Sequence, residues 1–103
     1  MPPPDFPGCR VYERDGFTIL VGTCARDNDH LTVRIAEPHD LWLHAAGFAG
    51  SHVVIRNPDR LAEIPRGVIE CAAQLAAWHS KAREAGGKVE VHLCRAADVR
   101  KPS

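Results

Sequence analysis

Apolar residues recur along this chain in short runs whose period changes from two to nearly four and back. Arg10 to Glu13 and Phe17 to Val21 are short stretches rich in apolar or β-branched residues, with Asp15-Gly16 between them. A glycine at such a turn accepts positive φ, so the segment predicts a β-hairpin that closes at Gly22. From Ala25 to Ala36, Leu31 and Ile35 fall four apart, with Asn28 and Asp29 as candidate caps. This predicts a short helix after the first hairpin.

Asp40 to Ala45 alternates strictly. Leu41, Leu43 and Ala45 share one side, and Asp40, Trp42 and His44 the other. Ser51 to Arg56 alternates as well, with Ser51, Val53 and Ile55 opposed to His52, Val54 and Arg56. A strand of period two buries one face, so each segment reads as half-buried. The link Ala46-Gly47-Phe48-Ala49-Gly50 is short enough for an antiparallel hairpin. Such a hairpin gathers Trp42, His44, His52 and Arg56 on the face away from the core. After a loop, Pro65 suits the first turn of a helix. Val68, Ala72, Leu75 and His79 then form a helical stripe, with Ile69 and Ala76 beside it, predicting a helix over residues 65–85 that stops at Gly86-Gly87. Lys88 to Cys94 is a last strand with Val89, Val91 and Leu93 inward. The order ββ(α)ββαβ predicts an α+β fold: a mostly antiparallel sheet with one long helix on one face.

Composition narrows this picture. The chain has 103 residues, 45% of them hydrophobic and 25% charged, which suits one globular domain. Residues 1–8 carry four prolines and read as a disordered arm before a single domain over residues 9–103. No signal peptide is visible, and no apolar stretch approaches the roughly 18 residues needed to span a bilayer. The expectation is a cytoplasmic protein with no membrane partner. The cysteines, Cys9, Cys24, Cys71 and Cys94, form no Cys-x-x-Cys pair and are expected as free thiols. Thirteen basic residues balance thirteen acidic ones, which argues against a generic polyanion binder. The charge is uneven, however. From His79 to Ser103 six basic residues (Lys81, Arg83, Lys88, Arg95, Arg100, Lys101) face three acidic ones.

Asp40, His44, Ser51 and His52 include the residue types of a hydrolytic triad, but their order and spacing fit no such motif. The six histidines and four cysteines lack the paired spacing of a zinc site. No glycine-rich phosphate loop is present. No metal or other cofactor is therefore expected.

Four stretches carry a family resemblance. They are Asp15-Gly16-Phe17 with Ile19-Leu20-Val21-Gly22; Asn28-Asp29 with Leu31-Thr32; the block from Asp40 to Arg56; and Ala72-Ala73, Leu75-Ala76-Ala77 and Ser80-Lys81-Ala82-Arg83. Val99-Arg100-Lys101-Pro102 is similar to a basic tail motif. In this order they resemble the NFACT-R domain, the RNA-binding domain of NFACT and ribosome-associated quality-control proteins, which are fibronectin-binding protein A-like. The domain also occurs alone or joined to tRNA-modification domains. Two departures stand out. The family has a basic residue where this chain has Thr23. It also continues past Lys-Pro into a final strand, whereas this sequence stops at Ser103, which implies an open sheet edge.

The resemblance implies an RNA-binding module for tRNA or ribosomal RNA, with the large ribosomal subunit as a partner, and no catalysis. Lys81, Arg83, Arg100 and Lys101 would bind phosphates, with Arg56 adding to the patch. Trp42 has two readings of equal standing: core packing, or base stacking because Leu41 and Leu43 already take the core face. His44 and His52 read first as structural, next as RNA contacts, and last as metal or catalytic groups. Gly47, Gly50 and Ser51 would let backbone approach a ligand, and Asp40 would cap a turn or orient His44. The rival readings are a protein-interaction module or homodimer pairing through the open edge, and a small RNA-processing enzyme using His44 or His52.

Overall fold

The computed structural model describes residues 9–47, 49–81 and 89–99. The first hairpin forms as the turn chemistry demands. Strands β1 (Cys9–Arg14) and β2 (Phe17–Gly22) pair antiparallel with Arg14 opposite Phe17. Asp15 and Gly16 both take positive φ, 50° and 83°, the backbone of a primed two-residue turn whose twist matches the strands. Strands β3 (Leu41–Ala45) and β4 (Val53–Ile55) form the second antiparallel pair, with Leu43 opposite Val53. The last strand, β5 (Val91–Arg95), pairs with β3. The sheet order is β1-β2-β4-β3-β5, antiparallel throughout.

One helix, α2 (Arg66–Trp78), follows Pro65 and lies on one face of this sheet. Its buried side chains are Val68, Ala72 and Ala76. Two alanines in that stripe let the helix sit close to Ile19, Val21, Leu43, Val53 and Ile55, which complete the core. The helix ends earlier than its periodicity predicts. His79 caps it, and Ser80 pairs with Gly50 as an isolated antiparallel bridge. That tie to the β3–β4 connection diverts the chain before residue 85. Residues 1–8, 82–88 and 100–103, which include the predicted arm, Gly86-Gly87 and the basic tail, lie outside the described residues.

The other face is covered too. Helix α1 (Ala25–His30) runs into a π-helical turn at Leu31–Ile35, closed by the Ala36 N–H donating to the Leu31 carbonyl at 2.8 Å. Leu31 is fully buried against Leu20, Val54 and Cys9, with Ile35 and Trp42 packed at the edge. This corrects the half-buried reading of β4 and shows β2 to be covered on both faces as well. Ile19, Leu20 and Val21 are all inaccessible, as are Val53, Val54 and Ile55. Their unbroken apolar runs are those of central strands buried on both faces. Asn28 and Asp29 do not cap α1; Cys24 stands at its start without a side-chain cap.

The edge strand also departs from expectation. β5 begins at Val91 rather than Lys88, and Leu93 remains 46% exposed. Leu93 lines a shallow groove with Leu41, Ile64 and Ile69 beside α2 rather than beneath it. All four cysteines are free thiols. Among the described residues, no helix is long and apolar enough to cross a membrane.

Candidate nucleic-acid interface

Strand alternation builds the site. With Leu41, Leu43 and Ala45 turned to α2, Trp42 and His44 project from β3 toward the α1 side. His52, just before β4, arrives beside them. The three rings form a closed cluster. Trp42 and His44 are stacked at 5.9 Å between centroids, and His52 meets both edge-on at 5.2 and 5.4 Å. On the far side of β3, His92 of β5 pairs directly with His44.

A threonine from the π-turn fastens the cluster. The Trp42 indole N–H donates to Thr32 Oγ1 at 3.1 Å, and the same oxygen lies 2.7 Å from His52 Nδ1. An indole N–H can only donate, so the Thr32 oxygen is the acceptor in the bond to Trp42. The Thr32 oxygen thus ties the indole and the His52 imidazole together, with the direction of the second bond set by the imidazole tautomer. Trp42 is half-buried and packs on the Leu31 cluster, as its core reading expects, with the remainder of the ring exposed beside His44 and His52. The surroundings of His44 favour its neutral form. Burial lowers its pKa, the neighbouring His92 lowers it further, and a backbone hydrogen bond with Gly50 only partly opposes them. A neutral imidazole offers one donor and one acceptor rather than a cation for phosphate.

The connection between β3 and β4 is pinned from three directions. Asn28 of α1 accepts from the His52 N–H at 3.0 Å and donates to the Gly50 carbonyl at 3.3 Å. The Ser51 hydroxyl donates to the Gly22 carbonyl at 2.6 Å, and the Ser51 N–H to the His79 carbonyl at 3.0 Å. The Lys81 N–H donates to the Ala49 carbonyl at 3.0 Å, which brings the exposed Lys81 side chain to this end of the sheet. A Cβ at Gly50 would stand 2.5 Å from Ser80 Cβ. The close approach at Gly50 is therefore made to the end of α2. Gly47, with φ of +75° and open space around its Cα, is the turn residue.

Asp40 and Arg56 stand apart from the rings. Asp40 is 1% exposed. Its carboxylate accepts from the Asn57 N–H at 2.7 Å and the Glu37 N–H at 2.9 Å, and Oδ2 lies 2.9 Å from Arg56 Nε. Asp40 caps a turn and does not orient His44. Arg56 shares the predicted face but sits at the opposite end of β4, so the expected four-residue gathering is a three-residue one. Arg95 is likewise committed, donating to the carbonyls of His39, Leu61 and Ala62. Arg83, Arg100 and Lys101 lie outside the described residues.

Residues 9–103 match the family model described as the NFACT protein RNA binding domain. The chain belongs to this family. It is 41% identical over 101 residues to the Rqc2 homolog RqcH of Bacillus subtilis, an alignment covering 97% of this chain and 17% of that protein. With the Rqc2 homolog RqcH of Streptococcus suis the identity is 42% over 96 residues, 91% of this chain and 16% of that protein. The chain thus spans about one-sixth of the length of these curated relatives. The solved C-terminal part of the fibronectin/fibrinogen-binding protein from Streptococcus suis superposes with a TM-score of 0.81 at 38% identity, over 92% of this chain and 37% of that one.

Three contributors to this NFACT RNA-binding domain escaped the sequence reading. Thr32 and Asn28 act through side-chain bonds across 10 to 24 residues of sequence, which no local pattern announces. His92 was legible in principle, because period two in β5 sets it opposite Val91 and Leu93. Among the described residues, no group of three or more His, Cys, Asp or Glu side chains is placed to hold a metal ion.

Proposed function

We propose that this NFACT RNA-binding domain binds tRNA or ribosomal RNA as a non-catalytic module of ribosome quality control, engaging the large subunit or its tRNA. The convergence of Trp42, His44 and His52 around Thr32, within a chain of this family, carries the reading. Such a cluster offers ring edges and neutral hydrogen-bonding nitrogens suited to exposed bases and sugars. Lys81 supplies a phosphate contact beside it, and Arg83, Arg100 and Lys101, which lie outside the described residues, are further candidate cations by sequence. Gly47 keeps the rim low. The kinship with RqcH supports the setting in quality control.

A binding role fits the site better than a catalytic one. Asp40 is buried and engaged away from both histidines, and the Ser51 hydroxyl is spent on the Gly22 carbonyl. The triad residue types therefore do not assemble, and among the described residues no carboxylate is placed to orient His44 for general acid–base work. With a formal net charge of zero, affinity is expected to be modest and to fall as salt rises. Fluorescence anisotropy with tRNA and ribosomal RNA fragments, at low and at moderate salt, tests this. A folded sample that binds neither at low salt refutes it.

A further inference from the structure

Beyond the last turn of α2 lies a polar groove of about 630 Å³ that the ring cluster does not use. Arg10, Tyr12, Thr23, Ser51, Trp78 and Lys81 are among its walls. Alternation in β1 explains the first two. Cys9 and Val11 pack on the α1 side, so Arg10 and Tyr12 face the side of α2. The Tyr12 hydroxyl lies 3.2 Å from His79 Nε2, with the rings tilted at 51°. The floor is rigid because Ser51, His79, Ala49 and Lys81 are joined by backbone hydrogen bonds.

Trp78 is the unusual residue here. It is 61% exposed although an indole gains substantially from burial. Scattered surface hydrophobics need no explanation, but this one shares its groove with two cations, and among the described residues no carboxylate lines it. In a chain of zero net charge that is a local separation of charge. Among the described residues, the wall residue Thr23 donates its hydroxyl to the Asp27 carboxylate, whose pKa is lowered by that bond and by Cys24. An anion therefore favours the Arg10 and Lys81 side over the Thr23 side.

We infer that this groove takes an unpaired RNA nucleotide, its base stacked on Trp78 and its flanking phosphates met by Arg10 and Lys81. The inference rests on the RNA-binding reading above and adds a second contact region at the same end of the sheet. An indole face stacks any base, whereas a base within a duplex has both faces covered.

The test uses the whole chain with a ~10-nucleotide single-stranded RNA of mixed sequence and with the duplex of that sequence. Trp78→Ala is expected to weaken single-strand binding by roughly tenfold, and Trp78→Phe, which keeps a stacking ring, to recover most of it. Arg10→Ala and Lys81→Ala should each lower the salt slope by about 0.7. Binding by the parent chain that survives Trp78→Ala and both cation variants unchanged overturns the groove assignment alone. Equal affinity for the duplex does the same. A parent chain that binds no RNA removes the underlying reading as well. Should Trp78→Ala fail to fold, the Phe and cation variants still decide.

Discussion

Asp40→Asn separates a carboxylate that holds the fold from one that meets a ligand. Oδ1 accepts the Asn57 N–H, and Oδ2 accepts the Glu37 N–H and sits 2.9 Å from Arg56 Nε. Asparagine keeps the shape but turns one acceptor into an NH2 group. Whichever way the amide is turned, that group faces a donor. At least one hydrogen bond to a charged group is lost, which costs about 1.5–3 kcal/mol. Arg56 also loses its counter-charge. Breaking a buried pair costs about 3–5 kcal/mol, but the Arg56 side chain is 22% exposed and water replaces part of the loss. The expected destabilisation is about 2–4 kcal/mol. In a domain of this size 1 kcal/mol moves Tm by roughly 4–8 °C, so Tm should fall by on the order of 10–25 °C. Thermal and urea denaturation measure this directly. Below the variant's transition, RNA affinity should stay within about twofold of the parent, because Asp40 presents no surface to a ligand. A stability loss under about 1 kcal/mol would refute the capping account. A tenfold loss of RNA affinity in folded protein would instead make Asp40 a ligand contact.

Thr32→Val keeps the shape and removes the oxygen shared by Trp42 and His52; it should cost about 1–2 kcal/mol, or roughly 5–10 °C in Tm, and an unchanged melt would contradict the clamp. Because burial and His92 lower the pKa of His44, the unfolded chain takes up the proton first as pH falls. The stability owed to neutral His44 is therefore complete above its ordinary pKa of 6.5 and drains as pH falls from there toward the lowered folded value. His44→Gln should flatten that part of a pH–stability curve, and identical slopes in the two proteins would argue against it. Gly50→Ala drives a Cβ to 2.8 Å from the Ser80 backbone and should cost about 1–3 kcal/mol. Gly47→Ala meets only positive φ in open space and should cost about 1 kcal/mol; the reverse order in denaturation would upset the packing argument.

The strands were legible because their signals are local. Asp15-Gly16 fixes the first hairpin through backbone geometry at two residues, and alternation from Leu41 to Ala45 sets the faces of β3. What escaped depends on contacts distant in sequence. Leu31 and Ile35 have α-helical spacing, yet the chain widens there into a π-turn that seats Leu31 on Leu20 and Val54. Nothing in the local spacing distinguishes the two. That β4 inserts between β2 and β3 is equally non-local, although the unbroken runs Ile19-Leu20-Val21 and Val53-Val54-Ile55 signalled central strands. At the site, alternation correctly brought Trp42, His44 and His52 together. It misplaced Arg56 because sharing a face says nothing about distance along a strand.

Covering both faces of the sheet leaves its end as the surface where ring edges, polar backbone and cations meet. That end is fixed before any ligand arrives, since Asn28, Ser51, Ser80 and Lys81 all tie the β3–β4 connection to its neighbours. Preorganisation of this kind reduces the ordering cost of binding, so a neutral domain needs fewer charges. The salt dependence then reports how many are used. Arg10 and Lys81 alone predict a slope near −1.4 for single-stranded RNA at about 0.7 per phosphate. Engagement of Arg83, Arg100 and Lys101 as well predicts a slope of roughly −3.5. A slope near the lower magnitude assigns the electrostatic contact to the end of the sheet. A slope near the higher one draws in the basic residues that follow α2 and β5, and Arg100→Ala with Lys101→Ala should then lower it by about 1.4. A slope that stays steep in that double variant would mean that the tail motif does not meet phosphate.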